Sequence, residues 1–366
     1  MFDIEFVDVT KVYPDAPPAL DQFNLSVVAG ELFGLVGPSG CGKTTVLRIL
    51  SGLEEPTAGR VIVGGRDITT VATHERGFAL ITQQNQLMGK RTAGGNIRFP
   101  LEVGDPANRP TNRQELVDFE ASHLRIGHLL DRRPSTLSAG ERRIVQLARC
   151  IIRSPSTLLM DEPLAFLEDD MRLRLRTDIV RVHRDRGLTT LLATASQSDA
   201  MAMSDRIAVM FDGIVHQIGT PFEVYDLPAT AQVAAFLGEP GMNVLPASVR
   251  VAGGERIVDV LGLELRMWTP VLDDFAGQPI LVGVRPEDLV PGGKTTESLE
   301  VRVASVEPLG RQTITEARTA HGERIDCILP GIAPPIGTTL DLGVPTSRLH
   351  LFDPITQHAV YHPPAT

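Results

Sequence analysis

The chain has 366 residues, a formal net charge of −10 and 42% hydrophobic residues, a length that calls for two or three domains. The acidic balance excludes a general nucleic-acid binder, because neutralisation of phosphate charge drives that association. No apolar run is long enough to cross a bilayer, so a soluble chain without a span of its own is expected. The three cysteines, Cys41, Cys150 and Cys327, cannot all pair and lack metal spacing, which fits a reducing cytoplasm.

Met1-Phe2-Asp3-Ile4-Glu5 is acidic and alternating, which predicts a first strand and not a signal peptide. The apolar strand Leu32–Val36 then runs into Gly37-Pro38-Ser39-Gly40-Cys41-Gly42-Lys43-Thr44-Thr45, a complete phosphate-binding loop with a helix beginning near Lys43. Its glycines let successive backbone N–H groups turn inward around phosphates. Lys43 supplies a point charge to the β and γ oxygens, and the Thr44 hydroxyl can ligate Mg2+. This predicts a nucleotide site, although the loop alone does not separate a kinase from a GTPase or a motor.

Gln83 follows a predicted strand Phe78–Thr82, and Asp105–Thr111 reads as a Pro-containing surface loop. Helical spacing over Arg142–Ile152 puts Ile144, Val145, Leu147, Ala148, Ile151 and Ile152 on one broad apolar face, directly after Leu137-Ser138-Ala139-Gly140-Glu141. Thr157–Met160 is a short buried strand that carries Asp161-Glu162-Pro163 at its C-terminal edge, where open α/β sheets bind ligands. Asp161 there is suited to hold Mg2+, through water, together with Thr44. Arg172, Arg174, Arg176, Arg181, Arg184 and Arg186 read as a solvated helix face. His74, His123, His128, His183 and His216 show no ligand spacing and take surface or local hydrogen-bond roles.

From Phe2 to about Leu237, short apolar runs alternate with helical stretches, the pattern of a largely parallel sheet with crossover helices in an α/β nucleotide-binding domain. The texture changes at Gly238-Glu239-Pro240-Gly241. Short β-branched runs follow at Ile257–Val260, Ile280–Val284, Leu299–Val306 and Thr338–Val344, with a Pro-containing loop at Ile332–Ile336. They predict a small β-barrel or sandwich.

The phosphate loop, Gln83, Leu137–Glu141 and Leu158-Leu159-Met160-Asp161-Glu162-Pro163 stand in the order and approximate spacing of ABC-transporter ATPases, which the chain resembles. The resemblance implies an α/β P-loop ABC-type nucleotide-binding domain over residues 1–237, with a helical subdomain at about 84–155. An all-β regulatory barrel of OB/TOBE type over 238–366 completes the implied fold. It also implies ATP and Mg2+ as cofactors. Tyr13 would stack on adenine; Gly37, Pro38, Ser39, Gly40, Cys41, Gly42, Lys43, Thr44, Thr45 and Gln83 would hold the nucleotide; Thr44, Gln83 and Asp161 would hold the metal. Glu162 resembles the catalytic base that orients the attacking water. Leu137, Ser138, Ala139, Gly140 and Glu141 would cap, in trans, the nucleotide of a second ATPase subunit. Ser138 also reads as an ordinary N-cap before Glu141, and the two roles are compatible.

Gly283-Val284-Arg285-Pro286-Glu287-Asp288-Leu289, Val303–Gly310 and Leu349–Pro354 resemble the C-terminal regulatory barrel of the maltose and glycerol-3-phosphate importer ATPases, as does Asp205–Met210 with Gly213, Gln217–Pro221 and Tyr225 before it. This implies the energy-coupling ATPase of an importer for a carbohydrate or a related polyol or phosphate solute. Such a subunit lies peripherally at the cytoplasmic face of the plasma (inner) membrane. Two transmembrane permease subunits bind it, an extracytoplasmic solute-binding protein serves it indirectly, and no nucleic acid is involved.

Several positions depart from that family. Where it has a histidine, Ala193-Thr194-Ala195-Ser196-Gln197 places Ala195, and loss of a positioned donor there costs on the order of 10²–10³ in rate, about 3–4 kcal/mol. Ser196 and Gln197 are candidate substitutes, or otherwise a solvated loop. Ala139 and Glu141 replace glycine and glutamine, and Leu164-Ala165-Phe166-Leu167-Glu168 replaces Leu-Ser-Asn-Leu-Asp. Asn85-Gln86-Leu87-Met88-Gly89-Lys90 lacks the aromatic residues of the sugar-importer relatives on the permease-facing surface. These departures favour a heterodimer with a complete partner ATPase over a homodimer. They also raise an alternative function, a nucleotide-gated regulatory or scaffold subunit with little ATPase activity.

Overall fold

In the N-terminal unit, strands in chain order are β1 (Ile4–Lys11), β2 (Leu20–Val27), β3 (Leu32–Val36), β4 (Ala58–Val63), β5 (Arg66–Asp67), β6 (Phe78–Ile81), β7 (Thr157–Asp161), β8 (Thr189–Thr194), β9 (Arg206–Phe211) and β10 (Ile214–Gly219). Helices are α1 (Lys43–Ser51), α2 (Ala93–Arg98), α3 (Arg113–His123), α4 (Ala139–Ile151), α5 (Asp169–Arg186) and α6 (Gln197–Met203). The computed structural model describes residues 2–83, 87–103, 109–292 and 297–364. Residues 105–108 of the expected surface loop and Asn85-Gln86 of the segment expected to face a permease lie outside them.

β1 and β2 alternate buried and exposed residues, as strands with one covered face do. They join β4 and β5 in an antiparallel sheet of order β2-β1-β4-β5. The sequence pattern predicts one largely parallel sheet, and this antiparallel one departs from it because β1 and β2 are joined by a turn and not by a crossover helix. β3, β7 and β8 are buried at every residue, the mark of strands covered on both faces. They form the centre of a sheet of order β10-β9-β3-β8-β7-β6, parallel except at β9–β10.

That order positions the site. Val36 pairs with Thr194 across β3–β8, and Asp161 pairs with Ala193 across β7–β8. The phosphate loop, the Asp-Glu pair and Ala195 therefore leave one sheet edge side by side, although more than a hundred residues of chain separate the first from the others. α1 packs Leu47, Ile49 and Leu50 into the core at 1% exposure or less, each worth about 1.5–3 kcal/mol. α4 buries Val145, Leu147, Ala148 and Ile151. It begins earlier than the predicted Arg142, because Ser138 and Glu141 close its first turn as a reciprocal cap.

The chain divides into compact units at Pro221/Phe222, ahead of the texture change at Gly238 that marks the sequence boundary. The reason is the helix Ala231–Phe236, whose Ala231 and Ala234 pack with Met242 and Phe352 of the C-terminal strands. The buried Arg285 adds to this by donating to the carbonyls of Tyr225 and Leu237. Apart from the helix Ala231–Phe236, the short helix Pro221–Asp226 and the 3-10 turns Pro270–Phe275 and Thr346–Arg348, the C-terminal unit is built of strands. One sheet runs Leu263–Arg266, Glu255–Val260, Asn243–Ala252, Pro279–Val284, His350–Phe352, Ala359–Tyr361. A second runs Val290–Pro291, Thr339–Gly343, Ser298–Leu309, Gln312–Thr319, Arg324–Pro330. The four predicted runs all fall on these strands, and Ile332 and Ile336 stand exposed in the loop between two of them.

Candidate nucleotide-binding site

The loop Gly37–Thr45 joins β3 to α1 through Gly40 and Gly42, both at positive φ. Gly42 is required twice over: its φ is 105°, and a Cβ there would lie 2.4 Å from the Ala19 carbonyl oxygen. Gly42 caps α1 without a side-chain acceptor, so the first N–H groups of α1 remain available to an anion. Lys43 Nζ donates to the carbonyls of Gly37 at 2.7 Å and Pro38 at 2.9 Å and lies 3.7 Å from Cys41 Sγ. Burial pushes the Cys41 thiol up, and Lys43 pulls the other way. A cleft of about 250 Å3 is lined by Ser39, Gly40, Lys43, Thr44, Gln83 and Glu162 among others, so the structure brings the loop, Gln83 and Glu162 to one place.

Thr44 Oγ1 lies 3.1 Å from both carboxylate oxygens of Asp161. Burial raises the Asp161 carboxyl above its ordinary range, while Thr44, Lys43, Arg48 and Arg143 pull it back. A carboxylate and a hydroxyl in contact beside a phosphate loop are the hard oxygen donors that suit Mg2+, which keeps several waters and phosphate oxygens of its own. Among the described residues no group of three or more His, Cys, Asp and Glu is placed to hold a metal by protein ligands alone.

Glu162 sits at φ 47°, a left-handed backbone position that non-glycine residues adopt under constraint. Two donors from the end of β8 hold its carboxylate: the Ala195 N–H reaches Oε1 at 2.6 Å, and the Thr194 hydroxyl reaches Oε2 at 3.1 Å. Ser196 faces elsewhere. Its hydroxyl accepts from the Asp199 N–H as the N-cap of α6 and also meets Arg172, so it does not replace an imidazole at 195. Gln197 is the first residue of α6. The expected solvated loop is thus a capped helix start.

The segment Leu137–Glu141 lies at the head of α4. Ser138 Oγ accepts from the Glu141 N–H at 3.1 Å, and the Ser138 N–H donates to Glu141 Oε2 at 2.7 Å. Arg132 holds the other carboxylate oxygen at 2.9 Å. The Ser138 N–H and Arg132 keep the Glu141 carboxyl below its usual range, so the extra negative charge is turned back into the cap. Ser138 and Ala139 are exposed, Leu137 and Gly140 buried. Gly140 abuts Met171 of α5, whose Cγ would lie 2.1 Å from a Cβ at this position.

Tyr13 lies past the end of β1 in a turn, with Lys11 Nζ 5.0 Å from its ring centre. It is not among the residues that line the cleft. Two further residues of the site escape a reading by motif. Thr194 is one, a threonine ending a strand that also begins with two threonines. Arg143 is the other, a charged residue on the buried face of α4 that donates to the carbonyls of Thr82 at 2.8 Å and Gln83 at 3.2 Å. The arginine run on α5 is also only partly solvated. Arg172 and Arg176 both pair with the buried Asp199, and Arg186 pairs with the buried Glu120.

A glycine cradle at a helix start, facing a strand-end Asp-Glu pair across a parallel sheet, defines a P-loop nucleotide-binding protein. The family model described as ABC transporter matches residues 20–165, that of the MalK OB fold domain residues 238–289, and that of the TOBE domain residues 282–352. The sn-glycerol-3-phosphate import ATP-binding protein UgpC of Cereibacter sphaeroides is 36% identical over 96% of this chain and 98% of its own length. The trehalose/maltose import ATP-binding protein MalK of Thermococcus litoralis is 35% identical over 99% of this chain and 100% of its own. A dimeric ATP-binding cassette in a post-hydrolysis state with ADP and Pi shares the fold over 60% of this chain and 98% of that one, with a TM-score of 0.54 at 24% identity. The chain belongs to the ABC transporter family, as an ATP-binding subunit with C-terminal OB and TOBE domains.

Proposed function

We propose that this chain is the energy-coupling ATPase of an importer for a carbohydrate or a related polyol or phosphate solute. The carrying observation is the convergence of Lys43, Thr44, Asp161 and Glu162 at one sheet edge, with the Glu162 carboxylate already held by two donors. In this reading the N–H groups of Gly37–Thr45 and the Lys43 ammonium bind the ATP phosphates. Thr44, Asp161 and Gln83 hold Mg2+, which when bound neutralises charge developing on the transferred phosphoryl group. Glu162 orients and deprotonates the attacking water. Tyr13 stacks on the adenine, and Leu137–Glu141 cap the nucleotide of a second ATP-binding subunit through Ser138 and Gly140.

The sequence favours a complete, different partner because Ala195 cannot steady Glu162. The clasp from Thr194 and the Ala195 N–H supplies that steadying, so the partner proposed is a second copy of this chain. The pair binds two permease subunits, served by an extracytoplasmic solute-binding protein, from the cytoplasmic face of the membrane. No helix of the described residues is long and apolar enough to cross a membrane. A groove of about 690 Å3 that runs from Thr44 and Asp161 past Leu53, Phe78 and Leu80 supports a permease contact on the same unit. The solutes in the relatives' names, sn-glycerol-3-phosphate and trehalose/maltose, support the solute class.

Comparison of the purified chain with its Glu162→Gln variant tests the proposal. Turnover on the order of 1–10³ s⁻¹ is expected of the first. The second is expected to retain MgATP and to run at twice the monomer mass without hydrolysing. Equal hydrolysis by both proteins, or no nucleotide bound at millimolar ATP, would overturn it.

A further inference from the structure

Arg143 is 7% exposed, and among the described residues its hydrogen-bond partners include no carboxylate. Burial of the guanidinium is costly even with the Asp161 carboxylate as an electrostatic neighbour, and an apolar side chain of similar volume would fill the same space at lower cost. What the guanidinium does here is span. Nη1 donates to the Thr82 carbonyl at 2.8 Å and to Gln146 Oε1 at 3.1 Å. Nη2 donates to the Gln83 carbonyl at 3.2 Å and meets the Glu162 carbonyl at 3.5 Å. One planar group thus joins the C-terminal ends of β6 and β7, and Gln146 one turn further along α4 fixes its plane.

The joined segments are those that carry Gln83 and Glu162 into the cleft. Among the described residues β6 is the edge strand of its sheet and has β7 alone for a neighbour, so sheet pairing there restrains its end from one side only. The same α4 that carries Arg143 begins at Ser138 and Gly140. Between the capping segment and the guanidinium lies a single helical turn, rigid and closed by the Ser138–Glu141 cap.

We propose that Arg143 is a positioning residue that locks Gln83 and Glu162 of one nucleotide site to the Ser138–Gly140 segment serving the other. This inference rests on the proposed ATPase reading and adds to it a route within one subunit between the two sites. A shift at the head of α4 is carried through the guanidinium to the backbone of the base, and the reverse holds equally. Lysine offers the charge from a single point and cannot reach three carbonyls at once. Methionine fills the space and offers nothing.

Arg143→Met and Arg143→Lys are compared with the wild-type chain for kcat, KM for ATP, melting temperature and amide hydrogen exchange. Misplacement of Glu162 and Gln83 by about 1 Å predicts a kcat lower by about a hundredfold in the methionine variant. KM should stay within about twofold, because Gly37–Thr45 is untouched. Exchange should rise at the ends of β6 and β7 in both variants while the core of α4 stays protected. A methionine variant with wild-type kcat and unchanged exchange at those ends would overturn the inference and leave the ATPase reading intact. If that variant does not fold, the lysine variant decides alone: wild-type kcat and exchange refute the proposal, and reduced kcat with local exchange supports it. Absence of MgATP hydrolysis by the wild-type chain itself would be a failure of the ATPase reading.

Discussion

Thr194→Val separates holding the base from merely filling the core. Thr194 is 3% exposed, and its hydroxyl donates to Glu162 Oε2 at 3.1 Å while accepting from the Ser196 N–H at 3.0 Å. Valine keeps the shape and removes both bonds. A hydrogen bond to a charged group is worth about 1.5–3 kcal/mol, and the orphaned Ser196 N–H costs about 1–3 kcal/mol more. If the first quantity serves to aim Glu162 in the transition state, kcat falls by about tenfold to 150-fold. KM for ATP should stay within about twofold, since no residue of the phosphate loop has changed. The second quantity appears separately, as a lower melting temperature. Steady-state ATPase assays over a range of ATP, alongside a thermal melt, read the two effects independently, and Thr194→Ser should restore kcat. A variant that melts early and turns over at the wild-type rate would show that the hydroxyl supports only the start of α6, and the argument about the base would fail.

Ala195→His should raise kcat by about tenfold in the same assay, short of the full 10²–10³ of a positioned donor, because the steadying of Glu162 is already in place. A fall in kcat would mean that the imidazole breaks the clasp. Gly140→Ala places a methyl group 2.1 Å from Met171 Cγ and should destabilise the N-terminal unit by about 1–3 kcal/mol in chemical denaturation; an unchanged midpoint would mean that Met171 swings clear at no cost. His350, buried against His362 and Arg285, has its pKa pushed down to about 3. The unfolded chain, titrating near 6.5, binds a proton that the folded one refuses. The stability of the C-terminal unit should therefore fall as pH drops from about 6.5 towards 3, by up to about 1.4 kcal/mol per pH unit. Calorimetry should find that dependence flattened in His350→Phe.

The linear motifs made most of the N-terminal site readable in advance. Gly37–Thr45 and Leu158–Pro163 each carry their chemistry within a few consecutive residues, and the apolar runs around them show which end of which strand they occupy. Four of the C-terminal strands were readable for the same reason, since a short β-branched run marks each of those four, whereas strands such as Leu263–Arg266 and His350–Phe352 carry no β-branched residue. What escaped depends on contacts through space. Arg143 looks like one more charge on an amphipathic helix until α4 is packed against the ends of β6 and β7. Thr194 looks like the last residue of a strand until the β7–β8 register, with Asp161 opposite Ala193, brings its hydroxyl to Glu162. The boundary at Gly238 follows composition, whereas the helix Ala231–Phe236 follows the strands it covers. β1 and β2 keep the alternation that predicts strands, but their pairing direction depends on a connection too short for a crossover.

Replacement of an imidazole by a methyl group at 195 would remove two services at once if both came from the side chain: steadying the base and donating to the γ-phosphate. In this chain the services are separable. The first is performed by a backbone N–H and a threonine hydroxyl, and neither depends on which side chain residue 195 carries. Only the second is missing, because Ser196 is committed to capping α6 and to Arg172. On the proposed reading, a site that has lost one donor but kept its base aimed, its phosphate cradle intact and its metal donors in contact is expected to be a slower ATPase and not an inert clamp. Two such sites in a pair of identical subunits would still turn over, so no second, complete subunit is needed to explain how the assembly works.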